Sequence, residues 1–111
     1  MEIDHRIEGD VCIIVIREII TNESAVETRR RIISLVEQYQ PQRIVLSLEA
    51  EDISSLGLGC IIAIYQDLTD KALPLMMSLS PPLQQKFIRA KLDRVLDIFS
   101  SLEAALQSVS S

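Results

Sequence analysis

Three apolar runs, VCIIVI at 11–16, RIVLSL at 43–48 and PLMMSL at 74–79, limit most strongly how this chain can fold. VCIIVI is a continuous β-branched run of strand length, the pattern of a strand buried on both faces. Between the runs lie segments with helical start signals and apolar residues at helical spacing. Strands that alternate with helices imply a layered sheet whose later strands run parallel. The expected class is α/β, a single domain over residues 1–111, with a mixed four- to five-stranded sheet and about four helices.

The remaining elements follow from local chemistry. EIDHRI (2–7) alternates apolar and polar residues and reads as a half-exposed edge strand, and EIIT (18–21) as a short strand or an extension of VCIIVI. Ser24-Ala25-Val26-Glu27 has the form of a capping box. It opens a first helix whose apolar positions are Val26, Ile32, Ile33 and Val36, and Pro41 closes it. A second helix is expected over 56–68, with Leu56, Cys60, Ile64 and Leu68 along one side. Pro74 is tolerable at the start of a strand, where no ladder donor is needed. Ser80-Pro81-Pro82 signals a third helix, serine as cap and proline at the first helical position. Leu83, Phe87 and Lys91 run down one side of it. VLDIF (95–99) is a short extended piece, and Ser100 through Glu103 forms a second capping box before the last helix.

Charge and composition exclude several classes. At 111 residues with 48% apolar side chains, the chain can bury a core without metals or disulfides. A net charge of −5 argues against a nucleic-acid surface. The run Arg29-Arg30-Arg31 reads as three solvated side chains on a helix. MEIDHRIEGD carries acids where a secretory leader carries bases, and no apolar run approaches the ~20 residues of a membrane span. Cys12 and Cys60 sit in apolar runs without CxxC spacing, so both read as small buried hydrophobes. The expectation is a cytoplasmic protein with no cofactor and no metal.

The stretch DISSLGLG (52–59) is the candidate site. It follows a strand and opens a helix, where unpaired amides and the macrodipole favour negative charge. One serine there caps the helix. Whether Ser54 or Ser55 is also modified, or does chemistry, depends on its surroundings.

From RIVLSL onward the chain resembles the STAS domain family, the fold of bacterial anti-sigma factor antagonists. The resemblance rests on RIVLSL, ISSLGLG with its apolar helix, LPLMMSLSPPLQQKF and LDRVLDIFSSLEAAL, and covers residues 43–108 best. It implies a noncatalytic protein-binding regulator that sequesters an anti-sigma factor or serine-kinase-type regulatory protein. The partner-binding loop and helix start would be Glu49, Glu51, Asp52, Ser54, Ser55, Leu56, Gly57 and Leu58. The family usually reads Asp-Ser-Ser-Gly-Leu-Gly and is phosphorylated on the serine before the first glycine. Aligned on Gly57-Leu58-Gly59, that position is Leu56. A phosphate there would add about −1.5 to −2 charges, held by helix amides but desolvated under a docked partner. Leucine cannot carry it, so the usual switch is not expected. Ser55 and Ser54 remain the phosphoacceptor candidates. Ser47 stands where the family often has aspartate, and Lys91 where a glycine commonly ends the third helix.

Other readings have weaker support in the residues. A nucleophilic serine needs a base, and His5 is the only histidine. GxSxG is absent. Cys60 near a helix start could be activated, but its neighbours are apolar. Glu49, Glu51 and Asp52 lack calcium-loop spacing. The family resemblance also allows a scaffold, a transport-regulatory module or a small-ligand or nucleotide sensor. Gly57 and Gly59 could let a phosphate approach, yet two glycines without GxGxxG do not make a phosphate loop.

Overall fold

The structure is a computed structural model that describes residues 1–110. Its elements in order are β1 Asp4–Glu8, β2 Val11–Ile16, α1 Ala25–Tyr39, β3 Arg43–Leu48, α2 Ser55–Asp70 and β4 Leu75–Leu79. Then come α3 Pro81–Arg89, a 3-10 turn Leu92–Arg94, β5 Asp97–Phe99 and α4 Leu102–Ser110. The five strands lie in sequence order, β1 antiparallel to β2 and every later pair parallel. The expected α/β class, mixed sheet and four helices are all present.

Strand periodicity explains how the helices are distributed. Cys12, Ile14 and Ile16 of β2, with Ile44, Leu46 and Leu48 of β3, point to one face and meet α1, α2 and α3 through Ile32, Val36, Ile61, Ile64 and Phe87. The alternate residues Val11, Ile13, Val45 and Met76 point to the other face, where Ala105 of α4 covers them. A strand covered on both faces has no need of polar residues, which is why VCIIVI is uninterrupted. Glu8 pairs with Val11 across a two-residue turn, and Gly9 supplies its φ of 61°.

Several local expectations are corrected. All five residues of β1 are exposed, because the edge strand lies outside both helix layers. EIIT forms only one bridge, Ile20 to Ile53. Ser24 precedes α1 but does not cap it; its hydroxyl accepts from the Thr21 amide at 2.9 Å instead. Val26 is 64% exposed, and Ala25 and Thr28 take the inward positions. Ser80 starts α3 without capping it, its hydroxyl donating to the Ala50 carbonyl at 2.6 Å. The last helix is capped by Ser101, which accepts from the Ala104 amide, and not by Ser100. The arginine run is divided: Arg29 pairs with Asp67, Arg31 donates to the Met1 carbonyl, and Arg30 is exposed. Lys91 lies past α3 in a left-handed conformation, φ 61°.

Candidate functional site

The site grows from the C-terminal end of β3, where the chain leaves the sheet and turns into α2. Ser47 and its register neighbour Ser78 are buried at this end. The Ser47 hydroxyl donates to Glu49 Oε2 at 3.3 Å, and Glu49 also faces Arg17 at 3.5 Å. From there the loop is fastened from two sides.

On one side, α3 holds it. Ser80 reaches the Ala50 carbonyl, and Lys86 Nζ donates to Asp52 Oδ1 at 2.8 Å and to the Ile53 carbonyl. Asp52 Oδ1 accepts from the Ile53 amide as well. The Lys86 hydrogen bond, with the Ile53 amide second, holds the Asp52 carboxyl below its ordinary pKa. On the other side, Ile20 pairs with Ile53, and the Ser54 amide donates to the Ile20 carbonyl at 2.9 Å.

Ser54 is the helix cap. Its backbone is extended and its Oγ accepts from the Gly57 amide at 2.9 Å, the geometry of an N-cap. Ser55 and Leu56 follow as the first helical residues, both exposed, and Leu56 is 51% exposed. This corrects the expected stripe: Cys60, Ile64 and Leu68 are buried, while Leu56, one turn before Cys60, stands exposed. Gly57 takes the inward place and is buried. A β-carbon on it would lie 2.6 Å from Ile53 Cγ1 and 3.1 Å from both Ile20 Cγ2 and the Ile20 carbonyl oxygen. Its role is therefore close packing, and its amide is already given to Ser54 Oγ. Leu58 is half-buried against the main core.

Gly59 differs. Nothing lies within 4 Å of where its β-carbon would be. It floors a groove of about 220 Å³ between α1 and α2, walled by Val26, Leu56, Cys60 and Ala63. Arg29 closes the groove and ties the helices by two hydrogen bonds to Asp67, at 2.9 and 3.0 Å. That guanidinium keeps the Asp67 carboxyl below its usual range.

The chemical alternatives are not assembled by these contacts. Cys60 donates to the Ala25 carbonyl at 3.0 Å, and burial raises its pKa, which opposes a thiolate. Cys12 is likewise buried and raised. His5 lies 3.3 Å from the Tyr39 hydroxyl, at the opposite end of α1 from the start of α2. Glu49, Glu51 and Asp52 do not converge: Glu49 turns to Arg17, Asp52 to Lys86, and Glu51 is exposed. Among the described residues no group of three ligating side chains could hold a metal ion, and no described helix is long and apolar enough to cross a membrane. Lys86, Ser80 and Val26 belong to the site but escape sequence reasoning, since each reaches it from another element.

A family model for the STAS domain matches residues 2–105. Among solved structures, the chain is similar to a protein from Thermotoga maritima described as an anti-sigma factor antagonist. The two share 21% identity over 98% of this chain and 95% of that one, with a TM-score of 0.85. An anti-sigma factor antagonist from Mycobacterium paratuberculosis is similar at 20% identity, 99% and 94% coverage and a TM-score of 0.84. So is a sulfate transporter family protein from Wolinella succinogenes, at 16% identity, 95% and 88% coverage and a TM-score of 0.81. At these identities each likeness shows the fold alone. No curated protein sequence matches the chain.

Proposed function

The chain belongs to the STAS domain family, and from that premise we propose that it is a noncatalytic protein-binding regulator of the anti-sigma factor antagonist type. It sequesters an anti-sigma factor or serine-kinase-type regulatory protein. The docking surface is loop 49–55 with the outer side of the α2 start, centred on Leu56 and flanked by Glu49, Glu51, Asp52, Ser54 and Ser55. Gly57 and Leu58 shape that surface from beneath.

One observation carries this reading: Leu56 stands 51% exposed beside a helical glycine that nothing in the fold approaches. Full burial of a leucine is worth about 1.5–3 kcal/mol. A glycine inside a helix costs roughly 0.5–1 kcal/mol relative to alanine. The fold leaves half of Leu56 uncovered and keeps the glycine at that cost, with the space above it unfilled. A partner side chain laid over Leu56 and into the groove above Gly59 buries the one and fills the other.

The same leucine removes the usual switch, because it offers no hydroxyl where the family is phosphorylated. Phosphate on Ser54 would disturb the cap to Gly57. Ser55, exposed at the first helical position, is the better-placed alternative acceptor, and Ser54 the second. The buried surroundings of Gly57 give a nucleotide-sensing role no support.

The test is capture from the source cells with wild type and Leu56→Asp, partner identification by mass spectrometry, then titration. Wild type should retain an anti-sigma factor. The aspartate variant should lose about 2 kcal/mol of affinity, roughly thirtyfold. Its Tm should hold, because an acid suits a helix N-terminus. Equal binding by both proteins places the interface elsewhere. With the partner kinase and ATP, the wild type should stay unmodified. Stoichiometric phosphate on Ser54 or Ser55 that abolishes binding overturns the unswitched reading.

A further inference from the structure

The corner where α3 ends differs in charge from the rest of the molecule. Residues 86–95 hold Lys86, Arg89, Lys91 and Arg94 against one acid, Asp93, in a chain of net charge −5. Lys86 is occupied by Asp52. Arg6, Arg17, Arg29 and Arg43 are also paired with acids. Arg89, Lys91 and Arg94 are exposed and enter none of the ion pairs among the described residues. Two large apolar side chains project from the same segment, Ile88 at 50% and Val95 at 54% exposure.

Lys91 takes the left-handed position past the end of α3 (φ 61°), as Gln40 and Ala72 do past α1 and α2, so its backbone serves to end the helix and its exposed side chain contributes charge to this corner. The α3 dipole favours a cation near its C-terminus, but Arg94 lies beyond the helix and the dipole does not explain the apolar pair.

We propose that Ile88, Arg89, Lys91, Arg94 and Val95 form a docking surface for an acidic protein segment bearing apolar residues, distinct from the surface around Leu56. Cations meet its carboxylates, and Ile88 and Val95 meet its apolar side chains. Charge balance selects a discrete segment over an anionic bilayer. Each basic residue is attracted to such a bilayer, but the remainder of this molecule is more acidic than its net charge and would be repelled. A short segment touches the corner alone.

The probe is a fluorescein-labelled peptide of alternating pairs of glutamate and leucine, followed by anisotropy. Wild type should bind it, more weakly as salt rises. The triple variant Arg89→Ser, Lys91→Ser, Arg94→Ser should bind at least tenfold more weakly. Lys91→Gly should lose two- to threefold while its Tm holds or rises, a split that a purely structural lysine would not give. Leu56→Asp should bind the peptide as wild type does, so this surface and the α2 surface can fail separately. Equal binding by the triple variant overturns the proposal. So does sedimentation of wild type with phosphatidylserine vesicles when the peptide is not bound, which assigns the corner to lipid.

Discussion

The first turn of α2 has an inward and an outward side, and its two glycines show how differently they are built. Gly57 sits against Ile53 and Ile20 with no room for one more carbon, whereas Gly59, two residues on, faces open space. The same residue type in the same short motif thus answers two demands. Gly57 lets the loop close onto the sheet. Gly59 leaves a groove that the molecule itself does not fill.

Substituting the two glycines tests this contrast most directly. Gly57→Ala should destabilise the domain by about 1–3 kcal/mol, because the obstructing atoms are a branched side chain near its root and a backbone carbonyl. Chemical denaturation measures it, and an unchanged midpoint would mean that the loop yields at no cost. Next in size is the cap. Ser54→Ala should cost about 1 kcal/mol, while Ser55→Ala should stay within about 0.5 kcal/mol. Equal losses would show that the cap assignment is wrong.

Gly59→Ala should move the other way, stabilising the free protein by about 0.5–1 kcal/mol. It should weaken partner binding if the groove is where the partner enters. A variant that gains stability and keeps full affinity would separate the groove from the interface.

The smallest effect concerns pH. Lys86 first, and the Ile53 amide second, hold the Asp52 carboxyl low in the folded protein. The folded pKa lies below the unfolded one, so the contribution is present at neutral pH. It is lost as pH falls through the folded value. Asp67 beside Arg29 has the same sign. Both carboxylates are surface groups and screened, so the change in overall stability should be slight. An NMR titration of the Ile53 amide should show a midpoint below the usual carboxylate range. In Lys86→Met that midpoint should return toward ordinary, and no shift between the two would dismiss the Lys86 contact.

Much of this molecule is legible without coordinates. The runs at 11–16, 43–48 and 74–79 are buried strands because nearly every residue in them is apolar, the small Ser47 and Ser78 being the only polar residues buried within them. Helix boundaries fall within a residue or two of their start signals, Ser54 and Ser80 included. The glycine-like position of Lys91 is also readable, and its positive φ is there. Cap chemistry was less legible. Ser24 and Ser80 precede helices as caps do, yet each spends its hydroxyl on a partner outside the helix, since a hydroxyl takes the nearest unmet group.

The sequence by itself determined the alternation of strands with helices and the place where α2 begins, because these follow from local periodicity and from side-chain chemistry within a few residues. Only the tertiary structure decided which way each side chain of that start faces. Leu56 and Val26 read as core by spacing but stand outside it, and Gly57 is buried because Ile20, from a distant loop, closes over it. Lys86 belongs to the site only because α3 folds back onto loop 49–55. Such contacts join residues more than thirty positions apart, and no local pattern encodes them: they depend on how the helices pack on the sheet.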